Sequence, residues 1–319
     1  MKKILLMGRS GSGKTSMRSI IFSGYRVEDT RRLGMTIDVE RSQLRFLGRI
    51  GLNLWDCGGQ QSYMDGYINA SSKHVFSSVG VLIYVFDMVS SDGWGRDVEY
   101  YRDCLAALRE YSPQAQVFCL LHKMDKVPSS EREAVYEGKV EELKVKSGND
   151  PNVTCFATSI WNESLYFAWS RVVRTLIPNI AVLEKHLSQF ARICSAAEVV
   201  LFEKTTFLVI ERSGGVEAGS GFVVGDYEPR DHKKSLHPQR FEKIIEMVKE
   251  LKSACQKSGR DFQGIELQAD TFSAYLDTFT PNTYILVVIA DPSIELAAVR
   301  MNVLAAREQF VRLEAMNTT

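Results

Sequence analysis

Short apolar runs alternate with longer amphipathic stretches through the first half of the chain. The runs Lys3–Met7, Gln43–Leu47, Leu52–Trp55, Val81–Asp87, Gln116–Leu121 and Val153–Phe156 predict strands. Between them, Lys14–Ser23, Asp97–Tyr111, Glu131–Ser147 and Ser164–Leu176 carry helical spacing, with Leu105 and Leu108 one turn apart. This alternation predicts an α/β architecture, a doubly wound and mostly parallel six-stranded sheet. Pro178 stops the last helix and places a domain boundary there, giving residues 1–178 and 179–319.

After Pro178 the rhythm changes. A helix is expected over Ile180–Ala197, then strands at Val199–Phe202 and Thr206–Glu211, then a Gly-rich polar insert from Ser213 to Ser235. Phe241, Ile244, Ile245, Val248 and Leu251 fall on one face of a helix over Pro238–Lys252. Strands follow at Gln263–Leu267, Ser273–Thr278 and Thr283–Ala290. Leu296, Val299, Val303, Ala306, Phe310 and Leu313 then recur at steps of three and four, the stripe of a closing helix packed on its own sheet. The second half therefore reads as an α+β domain with a small antiparallel sheet.

Composition narrows the classes. With 45% hydrophobic residues, 24% charged residues and a formal charge of +0, the chain matches an ordinary globular protein and offers no overall attraction to nucleic acid. Six cysteines show no metal or disulfide spacing, and the histidines form no ligand group beyond His232 and His237 in a polar loop. Four apolar residues before Gly8 are too few for a signal peptide, the longest apolar runs are too short to span a bilayer, and no lipidation motif is present. No direct membrane insertion is expected, and any membrane address would be borrowed from a partner.

The chemistry starts at Gly8, where "GRSGSGKTS" fits G-x-x-x-x-G-K-[ST] between a strand and a helix. In such a loop the backbone N–H groups from Arg9, Ser10, Gly11, Ser12 and Gly13 through Ser16 cradle phosphates at the positive end of the helix. Lys14 brings a point charge and Thr15 a hydroxyl for Mg²⁺. Asp56-Cys57-Gly58-Gly59-Gln60 follows the third strand: Asp56 is suited to hold Mg²⁺ through a water, Gly59 N–H to sense a γ-phosphate, and Gln60 to orient an attacking water. Thr36, in "RRLGMTID", can reach the same ion. His122-Lys123-Met124-Asp125 resembles the guanine motif N-K-x-D, with histidine in place of asparagine. Asp125 can accept from guanine N1–H and N2, Lys123 can lay its stem along the base, and Ser159 and Ile160 stand where a backbone N–H would meet guanine O6. Two alternatives remain: a nucleotide-bound scaffold without hydrolysis, against which Gln60 and Thr36 argue, and a P-loop ATPase or kinase, distinguished by the identity of the bound base.

Taken together, "LGMTIDVE", "LNLWDCGGQ", "HKMD", "TSIW", "LFEKTTFLVI" and "FTPNTYILVVIADPS" make the chain resemble the Rag/Gtr GTPases of the RagA/B type over nearly its whole length. The resemblance implies a Ras-like P-loop G domain followed by a roadblock-like, longin-related domain. GTP or GDP with Mg²⁺ would be the cofactors, Gln60, Lys14 and Thr36 the catalytic group, and Thr30 a further nucleotide contact. It also implies pairing with a C/D-type Rag GTPase through the second domain, and docking on a lipid-anchored roadblock scaffold of the Ragulator/EGO type. Recruitment of the TOR kinase complex and control by a GTPase-activating complex complete the expectation. The place of action would be the cytoplasmic side of the vacuole or lysosome and the cytoplasm, with the nucleus as a further location. An activating protein, rather than Arg31 or Arg32, would supply the catalytic arginine.

Overall fold

A computed structural model of the 319-residue chain describes residues 2–34, 36, 39–47, 50–60, 72–89, 93–213 and 240–316. Most of the insert expected at 213–235 lies outside them. The chain forms two compact units, one drawn mainly from Met1–Arg45 and Gly51–Ala168, the other from Trp169 onward.

In the first unit the strands are β1 (Lys2–Met7), β2 (Glu40–Phe46), β3 (Ile50–Asp56), β4 (Val79–Asp87), β5 (Gln116–His122) and β6 (Val153–Thr158). Their order across the sheet is β2-β3-β1-β4-β5-β6. Strands β3, β1, β4, β5 and β6 pair in parallel. The six-stranded doubly wound sheet is thus as expected, with each predicted strand in place and several of them longer by a few residues. From β1 the chain leaves first toward β2 and β3 and later toward β4, so β1 sits at the reversal of winding, where open α/β sheets bind ligands beyond their strand ends.

Helices α1 (Lys14–Phe22), α2 (Ser72–Phe76), α3 (Trp94–Tyr111), α4 (Arg132–Lys146) and α5 (Ser164–Arg174) accompany these strands. Central β4 is apolar along nearly its whole length and almost wholly buried, as a strand covered on both faces must be. Tyr84 and Phe86 of β4 meet Tyr101 of α3 edge-on, with ring centroids 5.3 and 5.5 Å apart. Sequence periodicity did not foresee α2, a single turn whose C-terminal carbonyls are held from outside: Lys3 Nζ donates to the carbonyls of His74 (3.0 Å) and Val75 (2.5 Å). The same ammonium lies 3.6 Å over the Trp55 ring, and its burial pulls its pKa down to about 8. Arg41 lies 4.1 Å over that ring as well, which fixes the end of β3 just before Asp56.

The second unit carries an antiparallel sheet in the order β8-β7-β11-β10-β9, made of β7 (Glu198–Glu203), β8 (Val209–Arg212), β9 (Gly264–Gln268), β10 (Ser273–Thr280) and β11 (Thr283–Ile289). Its helices are α6 (Ile180–Ile193), α7 (Arg240–Lys257) and α8 (Leu296–Met316). Val299, Val303 and Phe310 of the closing stripe are buried against the sheet. Phe310 packs 4.7 Å from Phe279 of β10 and 6.4 Å from Phe190 of α6, forming one aromatic knot between sheet and helices. Between α5 and α6 the bonding tightens to i→i+3 at Thr175, Leu176 and Ile177, Pro178 stops it, and Asn179 turns the chain at φ 53°.

One buried charge is decisive for this unit. Glu211 of β8 is fully buried and accepts from Arg174 Nε (3.0 Å) and Nη2 (2.8 Å); burial raises its pKa and the guanidinium opposes that rise. Removing the cation alone leaves a dry carboxylate, so Arg174→Met is expected to cost ~3 kcal/mol in urea unfolding, and adding Glu211→Gln should recover most of that loss.

Candidate functional site

Beyond Met7 the chain turns back on itself through Gly8, Gly11 and Gly13, whose φ values of 136°, 79° and 97° disfavour any side chain. Packing reinforces the choice of glycine. A β-carbon on Gly8 would stand 2.3 Å from the Val85 carbonyl oxygen, and one on Gly59 2.3 Å from the Ser10 nitrogen. Ser10 N–H donates to the Gly59 carbonyl at 2.8 Å, so the loop and the segment after β3 are joined backbone to backbone. Lys14, at the start of α1, is 5% exposed and donates to the carbonyls of Gly8 (2.7 Å) and Arg9 (2.9 Å). Its pKa is lowered by burial, while Asp56 acts to raise it. The result is a ring of backbone around a cation at the positive end of a helix, a site for phosphate oxygens.

Three oxygen groups converge beside it. Thr15 Oγ1 donates to Asp56 Oδ2 at 2.9 Å and lies 2.7 Å from Thr36 Oγ1. Asp56 is fully buried, and its other oxygen, Oδ1, has no hydrogen-bond partner. Burial raises the Asp56 pKa; Thr15, Lys14 and Arg18 oppose the rise. An orphaned buried carboxylate oxygen next to two hydroxyls, beside a phosphate cradle, fits Mg²⁺, which keeps several waters and takes few protein ligands. Among the described residues no group of three or more histidine, cysteine or acidic side chains offers an alternative metal site. The cleft over these residues, about 160 Å³ and partly open to solvent, is lined by Ser10, Gly11, Gly13, Lys14, Thr15, Ser16, Leu33, Gly34, Thr36 and Gly59.

At the far end of the loop, Lys123 (φ 65°) donates to the Gly11 carbonyl at 2.8 Å and to Asp87 Oδ2 at 2.7 Å. Asp125 Oδ1 accepts from Ser159 Oγ at 2.6 Å. The Ser159 N–H is committed to Ser164 Oγ at 2.9 Å, which leaves the Ile160 N–H as the donor of that loop for a base oxygen. His122 is 2% exposed. Its Nδ1 shares a 3.0 Å hydrogen bond with Thr158 Oγ1, and its ring edge lies against Gly13, where a β-carbon would come within 2.8 Å of Cδ2. The imidazole therefore wedges between the phosphate loop and the end of β6 with one ring nitrogen already engaged.

Comparison with known proteins settles the family. Residues 3–253 match the Gtr1/RagA G protein conserved region. The chain belongs to the Gtr1/RagA family of G proteins. It is 50% identical over 306 residues to GTP-binding protein gtr1 of Schizosaccharomyces pombe, covering 96% of this chain and 94% of that protein. To Ras-related GTP-binding protein A of Dictyostelium discoideum it is 47% identical, covering 97% and 96%. More distantly it is similar to GTP-binding protein GTR2 of Saccharomyces cerevisiae, 27% identical over 204 residues, covering 63% of this chain and 58% of that one.

In this Gtr1/RagA-family protein the geometry gathers Lys14, Thr15, Thr36, Asp56 and Gly59 at one end of the loop and Lys123, Asp125, Ser159 and Ile160 at the other. Gln60 is partly exposed directly after Gly59. The side chains of two residues expected at the nucleotide, Thr30 and Arg9 (the latter through its backbone N–H), are engaged locally. Thr30 is buried and its hydroxyl donates to the Val27 carbonyl (2.6 Å) within the 3₁₀ turn Glu28–Arg32. The Arg9 side chain lies over Gly93 at the start of α3, where a β-carbon would overlap its guanidinium. Ser12 Oγ is buried without a partner inside the loop. Arg31 and Arg32 are exposed at the end of their turn.

Sequence reasoning missed Asp87, which anchors Lys123, and Arg18, which reaches Asp56 Oδ2 at 3.2 Å. Asp87 ends a strand level with His122 in the parallel register, a signal a paired-strand reading could have used.

His122 gives a pH test. Burial first, and the Lys123 ammonium second, lower its pKa from 6.5 to about 4. Between those values the unfolded chain binds a proton that the folded one refuses, so stability present above pH 6.5 falls as the pH drops toward 4. Relative to a His122→Asn variant, the parent is expected to lose about 2 kcal/mol between pH 7 and pH 5 in urea titrations. Parallel pH profiles for the two proteins would contradict a neutral, buried imidazole.

Proposed function

We propose that this chain is a guanine-nucleotide switch that binds GTP with Mg²⁺, hydrolyses it slowly by itself, and signals through the segments around Thr36 and Gln60. Proteins of the Gtr1/RagA family are GTPases. The observation that carries the reading is the convergence of Thr15, Thr36 and Asp56, with an unpaired Asp56 oxygen, beside the Lys14 loop. Thr15 and Thr36 would hold the ion through their hydroxyls and Asp56 through a water; when bound, Mg²⁺ draws charge from the phosphate oxygens.

The chain's own residues divide the remaining work. Lys14, released from the Gly8 and Arg9 carbonyls, turns its ammonium to the phosphates, and the loop N–H groups bind their oxygens. Gln60 accepts from the attacking water with its amide oxygen and donates to a phosphate oxygen with its amide nitrogen, holding the water in line. Asp125, set in place by Ser159, selects guanine over adenine, because adenine has no N1–H or N2 donor to offer it. Intrinsic turnover is slow and an activating protein supplies the catalytic arginine, because the Arg9 guanidinium is turned to Gly93 and that of Arg18 is engaged by Asp56, Ser42 and Glu40.

The same reading includes assembly. Its supports are the motif resemblance and the similarity to GTR2, a partner-type relative. In it the second unit pairs with a C/D-type Rag subunit, and exposed Met301 and Leu304 on α8 offer apolar surface for association. The dimer sits on a lipid-anchored roadblock scaffold at the vacuolar or lysosomal surface and engages the TOR kinase complex when amino acids are plentiful.

Chromatography of nucleotide released from freshly purified protein tests the base assignment: guanine nucleotide is expected in the parent and at least tenfold less in Asp125→Ala. An adenine nucleotide in the parent would overturn the assignment. For hydrolysis, Gln60→Leu is expected to keep GTP and lose about a hundredfold or more of stimulated turnover in a phosphate-release assay. Unchanged turnover removes Gln60 from the mechanism.

A further inference from the structure

Among the described residues, Arg18 is the cation hydrogen-bonded directly to Asp56. It stands one turn into α1, behind the phosphate loop, and its guanidinium has three partners on three prongs: Nε donates to Asp56 Oδ2 (3.2 Å), Nη1 to Ser42 Oγ (3.2 Å) and Nη2 to Glu40 Oε2 (2.5 Å). Glu40 and Ser42 open β2, the strand that follows Thr36. The Arg18 side chain is 18% exposed, that of Glu40 51%, and that of Asp56 is fully enclosed. A single group thus spans the loop helix, the exit of the Thr36 segment and the end of β3.

Its effect on Asp56 is specific. Oδ2 receives two donors, Thr15 and Arg18, while Oδ1 receives none. Saturating one oxygen fixes the carboxylate's rotation and leaves the other as the acceptor for an ion's water. A bare guanidinium there would repel a divalent cation. Glu40 cancels it, so Arg18, Glu40 and Asp56 together carry the same single negative charge that Asp56 carries alone. Orientation is gained without loss of charge at the ion's side.

We propose that Arg18 and Glu40 form an electroneutral clamp that positions Asp56 for Mg²⁺ and ties β2 to the ion site, a positioning role that sets the Mg²⁺ dependence of nucleotide retention. The proposal rests on the Mg²⁺–guanine nucleotide reading above. Outer partners of metal-binding groups commonly govern ~10- to 100-fold of metal affinity.

The test follows release of a fluorescent GDP analogue from the full chain against free Mg²⁺, for the parent, Arg18→Met, Glu40→Gln and the double variant. In Arg18→Met the Mg²⁺ concentration that half-slows release is expected to rise about tenfold, while release in excess EDTA stays within twofold of the parent. Glu40→Gln should raise the midpoint several-fold, because it leaves the guanidinium's charge uncompensated. The double variant returns the local charge to the parent's single negative but not the orientation, so its midpoint should lie at or somewhat above the Arg18→Met value and well above the parent's. A midpoint within twofold of the parent in Arg18→Met overturns the clamp, and so does an equal acceleration in EDTA, which marks a general loosening of α1. A parent whose release ignores Mg²⁺ overturns the ion reading itself, and the clamp with it.

Discussion

A buried ammonium group is tolerable only where fixed dipoles replace the water it has lost, and Lys14 meets that condition with two carbonyls of its own loop. Those carbonyls can face inward because Gly8, Gly11 and Gly13 take backbone angles that other residues avoid. The angles in turn leave the outward face of the loop rich in N–H groups. One electrostatic requirement therefore dictates the glycines, the curvature of the loop and the sign of the ligand. Everything else at the site is placed relative to that curve. Gly59 touches it from the end of β3, His122 from the end of β5, and Lys123 from the turn beyond.

Asp56 illustrates how the sheet converts order into chemistry. Its register beside Leu6 of β1 brings it to the loop, and the cations stacked on Trp55 hold the strand end there. Desolvation alone would drive the carboxyl toward its neutral form, and the hydroxyl of Thr15 and the charges of Lys14 and Arg18 act in the opposite direction. Thr15, Lys14 and Arg18 all stand on α1, so it is the docking of that one helix against the end of β3 that offsets the cost of burying the carboxylate. The second unit handles Glu211 in a similar way, with Arg174 as its counter-ion.

Much of this was legible in the sequence, for reasons that differ by residue. Strand and helix order follow from apolar periodicity, and the phosphate loop from a motif whose every member has a backbone or charge requirement. Thr15, Thr36 and Asp56 lie far apart along the chain, yet motif order was enough to group them. Arg18, in contrast, sits among ordinary helix residues, and nothing in its spacing announces that its guanidinium turns toward Asp56. The wedge made by His122 was hidden for a related reason: its meaning depends on the empty place left by Gly13 and on Thr158 in the neighbouring strand. The Thr30 hydroxyl donates locally to Val27, a bond that a short side chain makes readily and that motif order does not announce. Helix α2 was too short for periodicity to register and owes its end to a lysine about seventy positions away.

The bond from Lys123 to the Gly11 carbonyl has a consequence for affinity. Base recognition and phosphate recognition are often treated as separate modules, but here the Lys123 hydrogen bond to Gly11 and the packing of His122 against Gly13 hold the two segments in one frame. In the proposed nucleotide reading, a nucleotide captured by its base would be presented to the loop at high effective concentration, and one captured by its phosphates would be presented likewise to Asp125. The two weak grips would then multiply, a chelate effect written into a single lysine and a single histidine.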